Sequence, residues 1–442
     1  MPAGAGDRDS GTIRAVVPSS ITVATAPRPA VPSPRRRVLG ALRHRNYRLF
    51  FGGQLVSTIG TWMQSIAQPW LVLQLTHSAL LVGLALAMQY LPMLVAGPFG
   101  GLVADRFPKR RVLQITQTAF IVPALFLFAT TYTHTATYPM VLACAFAWGV
   151  IQVVDVPTRQ AFAIEMVGRE DLMNAIALNS SIWNSAAVIG PSVAGVLIAV
   201  VGVPLCFLLN GVSYLAAIGS LALMRNLPSL LPDPERQRML SRVVEGARYV
   251  RADPVVLSLL LVTGSFSLFA MNRLTLIPLF AEQVLHAGAA GFGFLMGAQG
   301  LGAMTGALSL AFVPSQASGR RQFWIGLSWS AFLLAFSVSP WFPLSLVLLY
   351  LSGVCQMWFL ATANTRVQKA TPDRLRGRVM AFYAQAVMGM GPIGATQAGA
   401  LASWVGPPAT MALGAGVSAV ALLAVRLFSP AAFTLEPDDY PT

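Results

Sequence analysis

Residues 79–132 read ALLVGLALAMQYLPMLVAGPFGGLVADRFPKRRVLQITQTAFIVPALFLFATTY. Two apolar runs, 79–103 and 110–131, flank a turn with one acid, Asp105, and the bases Arg106, Lys109, Arg110 and Arg111. A helix needs about 20 apolar residues to cross the hydrocarbon layer. A barrel strand would be about ten residues long and alternating. These runs are continuous and much longer, so the stretch reads as a helical membrane hairpin with a basic turn.

The pattern extends in both directions. Twelve apolar stretches fall near 48–75, 79–103, 110–131, 137–157, 174–200, 203–224, 255–282, 289–312, 321–338, 342–364, 378–402 and 408–428. Of the 442 residues, 55% are hydrophobic and 10% charged, against about 25% charged in an average soluble protein. A mean hydropathy of +0.64 excludes a soluble enzyme, a disordered protein and a disulfide scaffold. The three cysteines, Cys144, Cys206 and Cys355, lie in apolar stretches without metal-ligand spacing.

The net charge of +14 follows the positive-inside rule. With twelve spans and a cytoplasmic N-terminus, 29 of the 30 Lys and Arg fall in the N-tail, the 2–3, 4–5, 6–7, 8–9 and 10–11 loops, and after span 12. The remaining one, Arg273, lies inside span 7. This predicts a multi-pass protein of the cell membrane with both termini cytoplasmic. Residues 1–45 form a polar tail without an apolar period, expected to be disordered and not a cleaved signal. Residues 46–224 form one six-span half, 225–254 a linker, 255–428 the second half, and 429–442 a C-terminal tail. Val243, Ala247, Tyr249 and Val250 give the linker an amphipathic helix, expected at the membrane surface. Asp253-Pro254 reads as the cap and first turn of span 7.

The halves echo each other. Thr158-Arg159 returns as Thr365-Arg366. Gly190-Pro191 and Gly195 return as Gly391-Pro392 and Gly399. Gly83 and Gln89 return 210 residues later as Gly293 and Gln299, preceded by His77 and His286. This predicts a parallel repeat of two six-helix bundles, the all-α architecture of major facilitator transporters.

The 2–3 loop resembles the signature loop of the major facilitator superfamily: Gly100-Gly101-Leu102, then Ala104-Asp105-Arg106, then Lys109-Arg110-Arg111, with Pro108 where the second glycine is usual. The resemblance implies a latch in which Asp105 faces span 11 and Lys109 bridges Asp105 to Asp155 at the end of span 4. Spacing offers a second reading, a local pair between Asp155 and Arg159. Ala186, Gly190-Pro191 and Ala194-Gly195 resemble the span 5 motif of drug/proton exporters; close small-residue packing is the alternative. Gly60-Thr61-Trp62, Ala67-Gln68-Pro69-Trp70 and Glu170–Asn179 look like the branch of enterobactin exporters and macrolide efflux proteins, over about residues 45–430. Many of those relatives carry a span 1 acid where this chain has Thr61 or Pro69.

Polar residues inside apolar spans are candidates for a substrate cavity: Gln54, Gln64, Gln68, Gln89, Gln152, Asn179, Asn184, Asn272, Arg273, Gln299, Gln356 and Gln385. Each also fits an interhelical hydrogen bond. Arg273 either faces the cavity or snorkels to the outer interface. Trp62, Trp183 and Trp358 are aromatic walls or packing anchors. No phosphate loop, metal cluster or nucleophile elbow is present in the sequence, so neither an ATP-driven pump nor an enzyme is expected.

The resulting expectation is a secondary transporter without cofactors, exporting a small amphipathic drug, antibiotic or siderophore at the expense of the proton gradient. Its partners would be that molecule and the bilayer, with no nucleic acid, and the protein would be monomeric. An uptake symporter of the same fold and a non-transporting membrane receptor are the rivals.

Overall fold

The computed structural model describes residues 40–168, 171–225, 239–310 and 318–434; at 98–105, 164, 173, 239–243 and 373 it describes the backbone alone. The tail 1–39, linker residues 226–238 and the last eight residues are among those outside this description. Among the described residues the structure is helical, without strands.

Helices occupy all twelve expected positions. Spans 1 to 6 are Arg45–Thr76, Ala79–Arg106, Lys109–Tyr132, Tyr138–Val167, Leu172–Val201 and Pro204–Ala222. Span 7 runs over Pro254–Val284 in pieces, spans 8 to 10 are Gly288–Leu310, Gly319–Ser337 and Phe342–Ala370, and spans 11 and 12 share Asp373–Phe428. Eight of these segments are long and apolar enough to cross a membrane by length and composition alone; one of them, Arg374–Phe428, is broken in two at Gly406, which has a φ of 81°. Arginine-rich connections gather at one end of the molecule, the basic end. The opposite, neutral end carries no Lys or Arg in its loops.

Spans 4 and 10 outrun their apolar stretches at the basic end. Span 4 continues through Pro157 to Val167 because Phe162, Met166 and Val167 are buried against Ala41, Tyr47 and Phe50. Span 10 reaches Ala370, with Arg366 and Val367 buried. Tertiary burial, rather than lipid, stabilises these amphipathic extensions. The repeat is visible in the backbone. His77 and His286 both adopt the left-handed conformation, with φ of 49° and 48°, at the turns into spans 2 and 8.

The linker helix, Met239–Ala252, packs on the second half. Arg378 Nη1 lies 2.6 Å from Glu245 Oε2, and Gly246 sits against Arg378 and Phe382. The Tyr249 hydroxyl donates to Asp253 and to the Ala370 carbonyl, both at 3.1 Å. Burial, reinforced by the Asp253 charge, pushes the Tyr249 phenol up to about 12, so it keeps its proton. The Asp253 carboxylate caps span 7, accepting from Val255 and Val256 N–H at 2.9 and 3.0 Å.

Candidate functional site

Lipid tails are as apolar as leucine, so membrane helices associate through close packing and hydrogen bonds rather than the hydrophobic effect. Both appear where the halves meet. Span 2 crosses span 11 at Gly83 and Gly399: a Cβ on Gly399 would stand 2.6 Å from the Ala79 carbonyl oxygen, and one on Gly83 would strike that of Ala395. Span 5 crosses span 8 at Gly195 and Gly293, where an added Cβ would come within 2.6 and 2.5 Å of the opposing Cα. The repeat therefore makes two equivalent seams. Trp70 of span 1 stacks on Phe292 of span 8, ring centroids 6.0 Å apart. These contacts seal the halves together towards the neutral end.

Within the span 5 motif, Gly195 forms the seam with the second half. Gly190 lies against the Trp62 side chain and the Ile59 carbonyl of span 1. Trp62 meets Trp183 edge to face at 5.5 Å.

One contact of the expected latch, the Lys109 bridge to Asp155, differs. Lys109 Nζ lies 2.6 Å from Glu165 Oε1 on the extension of span 4, and does not bridge to Asp155. Asp155, fully buried, pairs with Arg159 and accepts from Thr116 Oγ1 at 2.7 Å and Gln117 Nε2 at 3.0 Å. Span 4 continues about two turns beyond Arg159 to Val167, placing Glu165 rather than Asp155 within reach of Lys109. Arg110 instead donates to the Ala222 carbonyl at 2.9 Å, and Arg106 is exposed at the end of span 2. At Gly101 and Asp105 only the backbone is described, so the expected contact of Asp105 with span 11 lies outside the described residues.

Several cavity candidates are committed inside one bundle. Gln64 accepts from Asn210 at 2.6 Å, and Gln54 donates to Thr58 at 3.2 Å. Gln299 donates to Gln356 at 3.3 Å, and Asn179 accepts from Tyr47 at 3.2 Å. Gln68 and Gln89 are buried, the latter where span 2 crosses Gly149 of span 4. Five of these groups, Gln54, Gln64, Gln89, Gln299 and Gln356, are buried inside one bundle rather than lining an open cavity, because each is hydrogen-bonded or covered by a neighbouring helix; Asn179 is bonded to Tyr47 but half-exposed. Trp358 is a packing anchor: its indole N–H reaches Gly306 O at 3.0 Å and Ser309 Oγ at 2.8 Å, with Arg321 5.3 Å above the ring.

The positions retaining accessible surface are Gln152, Asn179, Asn184, Arg273 and Gln385. Gln385 opens a π-helical turn, Gln385–Gly389. Span 7 has two such turns, Phe266–Ala270 and Phe280–Val284. After the first, the helix breaks at Met271-Asn272 and resumes at Arg273. Asn272 closes the break by donating to the Leu268 carbonyl at 2.8 Å and packs on Gly394 of span 11. The Arg273–Leu279 piece packs against spans 1 and 2 of the first half, and the charge of Arg273 acts on the Tyr90 phenol of span 2. Arg273 is half-buried and Tyr90 is 37% exposed. Tyr90 carried no signal in the sequence, where it reads as an ordinary aromatic in an apolar run.

The sequence model for transmembrane secretion effectors of the major facilitator superfamily matches residues 37–438. The chain belongs to this family. This secretion effector-type transporter is 25% identical to the staphyloferrin A transporter of Staphylococcus aureus, over 86% of its own length and 95% of that protein. It is 28% identical to the enterobactin exporter EntS of Shigella boydii, over 83% and 88%. Its fold resembles solved transporters at low identity. A peptide transporter superposes with a TM-score of 0.71 at 13% identity, covering 88% of this chain and 94% of that one. A bacterial homologue of the lysosomal transporter Spinster gives 0.64 at 15%, covering 91% and 97%. The protein is therefore a membrane transporter of small molecules, and not an enzyme.

Proposed function

We propose that the protein exports a small amphipathic molecule of the siderophore or drug class by proton antiport. The observation that carries this reading is the near full-length match to the enterobactin exporter and the staphyloferrin A transporter. The seams of small residues between the halves support it. By the positive-inside rule the basic end is cytoplasmic. The seal at the neutral end then closes the outer face, and transport rocks the halves about the seams.

Everted membrane vesicles test direction and coupling together. On energisation they accumulate an iron-free siderophore only when the protein is present, and a protonophore abolishes the accumulation. Accumulation that survives a collapsed proton gradient without sodium overturns the coupling. Accumulation only in right-side-out vesicles establishes uptake instead.

A further inference from the structure

Resting on the transporter reading, we propose that Arg273 receives a carboxylate of the transported molecule, so that the cargo is an amphipathic organic anion. Arg273 stands alone among the 30 Lys and Arg in lying inside an expected span, away from its ends. An unpaired charge at such depth is costly and is retained where it meets a partner.

The structure removes the alternatives. Snorkelling fails on distance. Arg273 is 11 residues before Val284, where span 7 ends, which is about 16 Å of helix at 1.5 Å per residue. That exceeds the reach of an arginine side chain, and the Asn272 bond to Leu268 holds the break at this depth. An internal counter-ion is missing too: Arg273 makes no hydrogen bond or ion pair among the described residues. Glu282, the acid on the same span, is exposed near its neutral end. Asp155 is committed to Arg159, Thr116 and Gln117.

The Arg273–Leu279 piece packs against span 2 of the other half, which carries the exposed Tyr90 phenol within reach of the Arg273 charge. A guanidinium presents two parallel N–H donors that match a carboxylate, and a phenol adds a third. The two halves would thus grip one anion between them. Rocking changes their separation and so changes affinity through the cycle, as a transporter requires.

The test uses the full chain in lipid nanodiscs, with N-dansylphenylalanine as the anionic probe and its methyl ester as the neutral twin. Wild type should bind the acid at least tenfold more tightly than the ester, by dansyl fluorescence. Arg273→Gln should bring the acid down to the affinity of the ester and leave the ester unchanged. Arg273→Lys should keep part of the preference, and Tyr90→Phe should weaken acid binding several-fold. Equal binding of both probes by wild type overturns the proposal, as does a preference that survives Arg273→Gln. Equal loss of both probes without rescue by lysine assigns Arg273 a structural role and also overturns it. Proteoliposomes separate this from the parent reading: a wild type that moves acid and ester alike keeps the export function and loses the anion assignment. One that moves neither under a proton gradient loses both.

Discussion

Asp155 shows how much a single residue owes to its neighbours. Its carboxylate is fully buried and held by Arg159 from one turn along, with Thr116 and Gln117 from span 3. Removing one partner of a buried pair leaves an uncompensated charge, at a cost of about 3–5 kcal/mol. Arg159→Leu should therefore lower the thermal unfolding midpoint in detergent far more than a surface change does. The double variant Asp155→Asn with Arg159→Leu should recover part of the loss. A double variant no more stable than Arg159→Leu would show that the charge pair is not the cause. The local i,i+4 spacing was legible in the sequence. Thr116 and Gln117 were not, because nothing in a sequence reports how span 3 is rotated about its axis.

Two glycines separate packing from conformational freedom at the scale of the helix. Gly293 has backbone on its open side: an added methyl would come within 2.5 Å of Gly195 Cα and 2.7 Å of the Pro191 carbonyl oxygen. Backbone cannot yield as a side chain does, so Gly293→Ala should prise the seam between spans 5 and 8. We expect transport to fall by an order of magnitude or more, with normal membrane insertion, measured as vesicle accumulation against protein content. Gly219, within span 6, has nothing within 4 Å of the same added atom. Gly219→Ala should be neutral or stabilising by about 0.5–1 kcal/mol, since alanine loses less backbone entropy in a helix. A destabilised Gly219→Ala would overturn this reading of the site. The helices and their small-residue faces were legible in the sequence. The π-helical turns and the break before Arg273 were not, because an inserted residue leaves hydropathy almost unchanged while shifting every later side chain around the helix.

The whole molecule is held in one state by contacts towards its neutral end. Trp70 and Phe292, with centroids 6.0 Å apart, join spans 1 and 8 there. A Trp70→Cys with Phe292→Cys pair should be joined by a short bifunctional thiol reagent. If the seal must open during transport, the joined protein should stop transporting, and cleaving a reducible spacer should restore it. Full transport by the joined protein would rule out opening at this place.

Sequence alone determined the membrane class, the positions of the helices, the internal repeat, the segregation of basic residues to one end, and Arg273 as the anomalous charge. These follow from hydropathy, charge and spacing, which add up along a chain without reference to its other parts. The partner of Lys109, the companions of Asp155, the burial of most glutamine candidates inside single bundles and the packing of the Arg273 segment against the span that carries Tyr90 were decided only by the tertiary structure. Lys109 meets Glu165 across 56 residues, and Arg273 and Tyr90 lie on different halves. Such encounters depend on the rotation and relative depth of packed helices, set by contacts between residues remote in sequence.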